Sequence, residues 1–247
     1  MATGNISDTS LKYFEEKKIK ILLDEAFHDL LVAMPDDPLN FLLKTFSRPT
    51  GLRLMIAGLS GSEKSAHSKL LAKKYGVRHI SAGDVLRKAS TDTTRKGQEI
   101  ASYLKRQALV PDKLFIDLIF DEIRAAKENG NGWILEGIPR TRSQAIYLQS
   151  EGIFPQRFFY LDVTNETAAL RLAKNRNINS RPPSSSDVPN MDTASESPVL
   201  GLNNFKSQYH EVIECYESFF VRINGERPIE EVHEELCAQV DSVGLPP

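Results

Sequence analysis

Eight consecutive residues, Gly58-Leu59-Ser60-Gly61-Ser62-Glu63-Lys64-Ser65, have the types and spacing that hold a phosphate. Glycines let backbone N–H groups turn inward around phosphate oxygens, and a helix that follows points its positive N-terminus at the same anion. In such a loop Gly58, Ser60, Gly61, Ser62, Lys64 and Ser65 would surround a nucleotide's phosphates. Lys64 would reach the β- and γ-phosphates and Ser65 would hold Mg²⁺. The expected pattern is Gly, four residues, then Gly-Lys-Ser, and Glu63 stands where its second glycine belongs. Glycine there permits close backbone approach and positive φ, neither of which suits glutamate. A carboxylate about 4 Å from a phosphate charge would be repelled by roughly 4 kcal/mol at a surface-like dielectric. That is about a thousandfold in affinity; turned into water, the same group costs a fraction of it. An ordinary Gly/Ser turn is the plain alternative. A strand-like run before the loop, a helical pattern after it and Lys-Ser in register favour phosphate.

The elements that must position this loop are legible as alternating strand and helix signals. Apolar runs at 52–57, 133–135, 158–161 and 219–223 predict strands, with a shorter one at 78–80. Helical patterns lie between them, the clearest at 112–127, where Leu114, Phe115, Leu118, Ile119 and Ile123 form a stripe. Buried strands alternating with helices predict an α/β fold with a parallel five-stranded sheet flanked by helices. Before it, Ile19, Leu22, Leu23, Ala26, Phe27, Leu30, Leu31 and Met34 keep helical spacing over four turns. Pro35 stops that helix, Asp37 can cap the next one, and Pro38 suits its first turn. The result is an N-terminal helical hairpin, with residues 1–10 polar and loose and 47–51 a linker. His28, midway along the first helix, reads as a polar-face residue. Residues 177–204, rich in Ser, Pro and Asn, predict a loop or mobile insertion.

Composition narrows the function classes. The 247 residues carry a net charge of −2 with Lys and Arg scattered, so no basic face points to nucleic acid or an acidic membrane. Two distantly spaced cysteines, Cys215 and Cys237, argue against a disulfide frame or zinc site and read as packing residues. No apolar run is long enough to span a bilayer, and the N-terminus lacks an apolar signal core. The expectation is a soluble cytoplasmic protein with no nucleic-acid or membrane partner. Trp133 is expected in the core.

Three further stretches resemble the adenylate kinases, the nucleoside monophosphate kinase family with a P-loop NTPase fold. They are YGVRHISAGDVLRK (75–88), LVPDKLFIDLI (109–119) and GWILEGIPRTRSQA (132–145). The resemblance implies transfer of the ATP γ-phosphate to AMP with Mg²⁺. It implies that Ser81 and Arg87 meet the AMP phosphate, that Arg140 clamps it beside Gly137, and that Gln144 bonds the adenine in a pocket lined near Val110. Glu136 takes the place of an aspartate that organises Mg²⁺ through water. Asp84 is expected either in the phosphate turn or as a helix cap. Arg171 matches the first arginine of the lid helix, and Arg171 with Arg176 or Arg181 would meet the transferring phosphate. The lid departs from the family: Asn175 replaces the second arginine, Pro182-Pro183-Ser184 an acidic pair, and the arginine expected ahead of Tyr209 has no counterpart near Asn203-Asn204. The monophosphate-binding part would be 81–110 and the lid 177–204, within a kinase domain 51–247.

Residues 1–50 resemble the dimerisation-docking helices of protein kinase A regulatory subunits and the related Dpy-30 motif. The likeness rests on an amphipathic helix, the turn Pro35-Asp36-Asp37-Pro38 and a short Phe- and Leu-rich helix. It implies a dimer, or an amphipathic partner helix docked through residues 11–47, and an address in cilia or flagella. A helical arm packed on the chain's own core is the alternative. Two functions follow: an active adenylate kinase, or a docking protein that keeps the fold and turns over weakly or not at all. A kinase for another nucleoside monophosphate is a third.

Overall fold

In a computed structural model the described residues are 7–16, 19–47, 51–106, 110–128, 132–178 and 209–243, with side chains 16, 21, 25, 47 and 175–178 left outside the description. The chain divides into two compact units, 1–49 with 148–154, and 50–147 with 155–247.

The larger unit is built on strands β1 (Arg53–Gly58), β2 (Arg78–Ser81), β3 (Trp133–Glu136), β4 (Arg157–Asp162) and β5 (Phe220–Asn224). All pair in parallel, in the order β2-β3-β1-β4-β5. Five of the six residues of β1 and all four of β3 are buried. A strand covered on both faces must be apolar on both, which is why these segments read as unbroken apolar runs. Leu54, Ile56, Ile134, Phe159, Leu161 and Ile223 join Leu71, Val232, Leu236 and Val240 from the flanking helices in one core. Trp133 is buried as expected.

Helices α4 (Lys64–Tyr75), α5 (Ala82–Ser90), α6 (Arg95–Lys105), α7 (Asp112–Glu128), α8 (Arg142–Ser150) and α9 (Asn165–Ile178) fall between the strands. A helical stretch α10, described over 209–215, precedes β5, and α11 (Ile229–Asp241) follows it. Because β1 lies between β3 and β4, the chain leaves it toward one side and returns on the other. The crevice at the carboxyl end of β1 is where open α/β sheets bind ligands, and residues 58–65 occupy it. The strand read at 219–223 begins one residue later, after the tight turn Glu217–Phe219.

In the smaller unit α2 (Ile19–Ala33) and α3 (Pro38–Ser47) are the expected hairpin. Asp37 accepts from the Asn40 N–H at 3.0 Å and caps α3, whose first residue is Pro38. Residues 1–10 do not all lie outside regular structure: Asp8 opens a further helix, α1 (Asp8–Glu16), with the Ser7 hydroxyl accepting from the Ser10 N–H at 3.2 Å. That Ser cap was available in the polar N-terminal run and outweighs its low hydrophobicity. His28 is half-buried over Gly152, and its Nε2 lies 3.9 Å from Glu151, so it packs within this unit. Among the described residues no helix is long and apolar enough to cross a membrane.

Candidate functional site

The loop after β1 is pressed against its neighbours. A Cβ on Gly58 would lie 2.7 Å from the Leu161 carbonyl oxygen, and one on Gly61 would lie 2.4 Å from that of Ala168. No side chain fits at either place. The Ser62 N–H closes the turn onto the Leu59 carbonyl at 3.0 Å, and Ser60 and Ser62 are buried. Glu63 then takes φ 65° and ψ 19°, the left-handed conformation, as the N-cap of α4 without a side-chain capping bond. The backbone therefore keeps a glycine's geometry where the sequence supplies glutamate. A non-glycine residue in that region costs roughly 1–2 kcal/mol.

Lys64 opens α4, and its ammonium donates to the Leu59 carbonyl at 3.2 Å, folding back over the loop. Ser65 Oγ donates to Glu136 Oε1 at the end of β3. The other oxygen, Oε2, accepts from His79 Nε2 at 2.6 Å. Glu136 is almost wholly buried. Burial pushes its carboxyl upward, but the bonds from His79 and Ser65, with the charges of His79 and Lys64, outweigh it and hold the group below the ordinary glutamate range. The site thus keeps an anionic carboxylate beside a serine hydroxyl. Among the described residues no cluster of three His, Cys, Asp or Glu could hold a metal. A Mg²⁺ ion here would draw on Ser65, with Glu136 behind it and phosphate and water oxygens for the rest, as this ion prefers.

A second group of residues forms at the ends of β2 and β3. Ser81 caps α5, accepting from the Asp84 N–H at 3.4 Å. Asp84 is not the cap: it sits in the first turn and receives the Arg87 guanidinium. That bond first of all, against the upward pull of burial, holds its carboxyl below the usual range. Gly137 continues the sheet through its N–H to Ile56 O at 3.1 Å, and its own carbonyl accepts from Arg140 Nε at 2.9 Å. The Arg140 N–H donates to Gln144 Oε1 at 2.8 Å. Val110 is buried just ahead of α7.

A family model for adenylate kinase matches residues 56–221, more than half of the chain. The chain belongs to the adenylate kinase family. It is 27% identical over 206 residues to a chloroplastic adenylate kinase of Zea mays, covering 78% of this chain and 93% of that one. It is 31% identical over 201 residues to an adenylate kinase of Bacteroides fragilis, covering 78% of this chain and all of the other. Adenylate kinase 8 of Xenopus tropicalis is 32% identical over 168 residues, or 66% of this chain and a third, 33%, of that longer protein.

Within this adenylate kinase frame, Ser65, Glu136 and His79 form one hydrogen-bonded group with the Lys64 charge acting on it, and Gly137, Arg140 and Gln144 form another. Arg87 pairs with Asp84. Arg171 stands on α9 and donates to the Gly225 carbonyl at 2.9 Å, in the turn after β5. The Arg176 side chain, Arg181 and the 179–204 part of the expected lid lie outside the described residues. Two partners were not found by reading the sequence: His79 on Glu136, and Asp112 on Gln144. Ser81 is aligned with Glu136 across the β2–β3 ladder. His79, two residues earlier, therefore shares the face of β2 that meets Glu136, since strand side chains alternate. That inference needs the strand order, which no local pattern carries.

Proposed function

We propose that this chain transfers the γ-phosphoryl group of ATP to AMP, giving two ADP. An oxygen of the AMP phosphate attacks the γ-phosphorus, and the ADP oxygen leaves with the bonding electrons. The observation that carries the reading is the juxtaposition, at the ends of adjacent β1 and β3, of the phosphate loop with the Glu136-to-Gln144 segment. Such chemistry needs positioning and charge neutralisation more than covalent help. In this reading Gly58, Ser60, Gly61, Ser62, Lys64 and Ser65 hold ATP. Ser81, Arg87, Val110, Gly137, Arg140 and Gln144 hold AMP, and Arg140, Arg171, Arg176 and Arg181 join Lys64 in neutralising the transferring group. Bound Mg²⁺ would neutralise phosphate charge beside Ser65, with Glu136 orienting its water. Arg87 would share its guanidinium between Asp84 and the monophosphate, a fork being suited to both.

The test is ADP formation from ATP, AMP and Mg²⁺ by the purified protein and by Lys64→Ala. Turnover is expected in the first and a loss of at least about a hundredfold in the second, as for removal of one donor at a developing charge. Absence of turnover in a folded sample that binds AMP would support the docking reading instead. UMP, CMP and GMP in place of AMP test the base.

A second role is favoured by a separate observation. In the smaller unit Leu22, Leu23, Phe27, Leu31, Val32, Met34, Leu39, Leu43 and Phe46 are all exposed. So much exposed apolar surface on short helices marks an interaction site. We infer that residues 1–50 dock a second copy or an amphipathic partner helix, with 51–247 as the kinase domain. The cytoplasm, and within it a cilium or flagellum, is the address that goes with that docking.

A further inference from the structure

The Gln144 amide is held from both ends by groups that cannot exchange roles. Its Oε1 accepts from the Arg140 backbone N–H at 2.8 Å, and its Nε2 donates to Asp112 Oδ1 at 2.8 Å. A backbone N–H can only donate and an ionised carboxylate can only accept, so the amide has one orientation. Turning it over would set oxygen against carboxylate and NH₂ against N–H. Asp112 is itself fixed: Oδ2 accepts from Ser143 Oγ at 2.7 Å, and the residue begins α7, where a helix favours negative charge. Ser143 in turn meets Thr141 Oγ1 at 2.9 Å. Gln144 is buried, with 6% of the residue exposed. One N–H on Nε2 and one lone pair on Oε1 remain unspent.

From this we propose that Asp112 is the specificity-determining positioning residue of the monophosphate site. By locking the Gln144 amide, it makes the site select a 6-aminopurine monophosphate over the 6-oxo one. The proposal rests on the reading that Gln144 faces the base. A 6-aminopurine offers a donor at its amino group beside an unprotonated ring nitrogen. A 6-oxopurine offers an acceptor beside a ring N–H, the same two positions with roles reversed. An amide free to turn over would serve both bases equally. An amide that cannot turn over serves one, and the other base leaves buried polar groups unpaired. Asp112 needs no contact with the nucleotide to do this.

Equilibrium binding and kcat/KM for AMP and IMP, on the whole 247-residue chain, test the proposal with three variants. Asp112→Asn offers Gln144 a group that can donate as well as accept, so only the Arg140 backbone N–H still opposes turning the amide over, and the lock is loosened. The AMP-to-IMP preference should fall about tenfold, with ATP affinity unchanged. Ser143→Ala, which only loosens Asp112, should move the preference the same way by a few-fold, and it serves if Asp112→Asn fails to fold. Gln144→Ala should weaken AMP and leave little preference. If Gln144→Ala weakens AMP while Asp112→Asn and Ser143→Ala leave the preference unchanged, the lock is wrong and the reading of Gln144 stands. If Gln144→Ala leaves AMP binding unchanged, the reading fails and the proposal with it. A merely structural Asp112 would lower thermal stability and change binding of both nucleotides alike, which also overturns it.

Discussion

At the residue scale the unusual feature is Glu63. The loop holds it in left-handed conformation, so the glutamate contributes strain as well as charge. The two effects are separable. Glu63→Gly should remove both, raising stability by about 1 kcal/mol and the thermal midpoint by about 2–4 °C. Glu63→Ala removes the charge and keeps the strain. If the carboxylate faces the phosphates, both variants should bind ATP more tightly by calorimetry, and only the glycine variant should melt higher. Unchanged ATP affinity in both would place the carboxylate in solvent. The presence of glutamate was legible in the sequence. That the backbone keeps the left-handed conformation with glutamate in place is seen only in the folded loop.

At the scale of elements, α4 and α11 pack through a pair of histidines. His67 is buried and stacks on His233, with ring centroids 6.2 Å apart and planes 21° apart. Burial, then the charges of His233 and Arg171, lowers the His67 value from 6.5 to about 4. In the unfolded chain His67 takes up a proton below about 6.5, while the folded chain resists until about 4. The unfolded state therefore binds more protons across that window, and stability falls as pH drops through it. The full effect is about 3 kcal/mol. Urea unfolding at pH 7 and at pH 4.5 should show most of this loss, and a His67→Gln variant should have a flatter profile. Helix termini were partly legible at this scale. Asp37 caps α3 as its position suggests, whereas Ser81 and not Asp84 caps α5, because the helix begins two residues before Asp84. Both residues suit a cap, and the end of β2 decides between them.

At the scale of the molecule, the docking reading makes its own prediction. Leu31 is 61% exposed, and exposed substitutions usually change stability by no more than about 0.5 kcal/mol. Leu31→Glu should therefore leave melting and ADP formation unchanged. It should lower self-association, read by light scattering, or binding of an amphipathic helical peptide, read by fluorescence anisotropy. A variant identical to the parent in both measurements would remove residues 11–47 as a docking surface.

Read alone, the sequence marked the glycine-rich loop 58–65, the five strands to within a residue or two, the helical hairpin and the Glu136-to-Gln144 segment. The loop, the strands and the hairpin are local patterns of apolar runs, helical spacing, glycine and proline, whereas the Glu136-to-Gln144 segment was legible only through its resemblance to the adenylate kinases. Tertiary structure decided which strands are neighbours, because parallel strands are joined by long crossovers that leave no short-range mark of their order. That order brings Ser65 and His79, 71 and 57 residues from Glu136 in sequence, onto one carboxylate. Packing of α7 beside α8 likewise sets Asp112 against Gln144, 32 residues apart. Polar partners so distant along the chain follow from the burial that forces them together, and burial is a property of the folded whole.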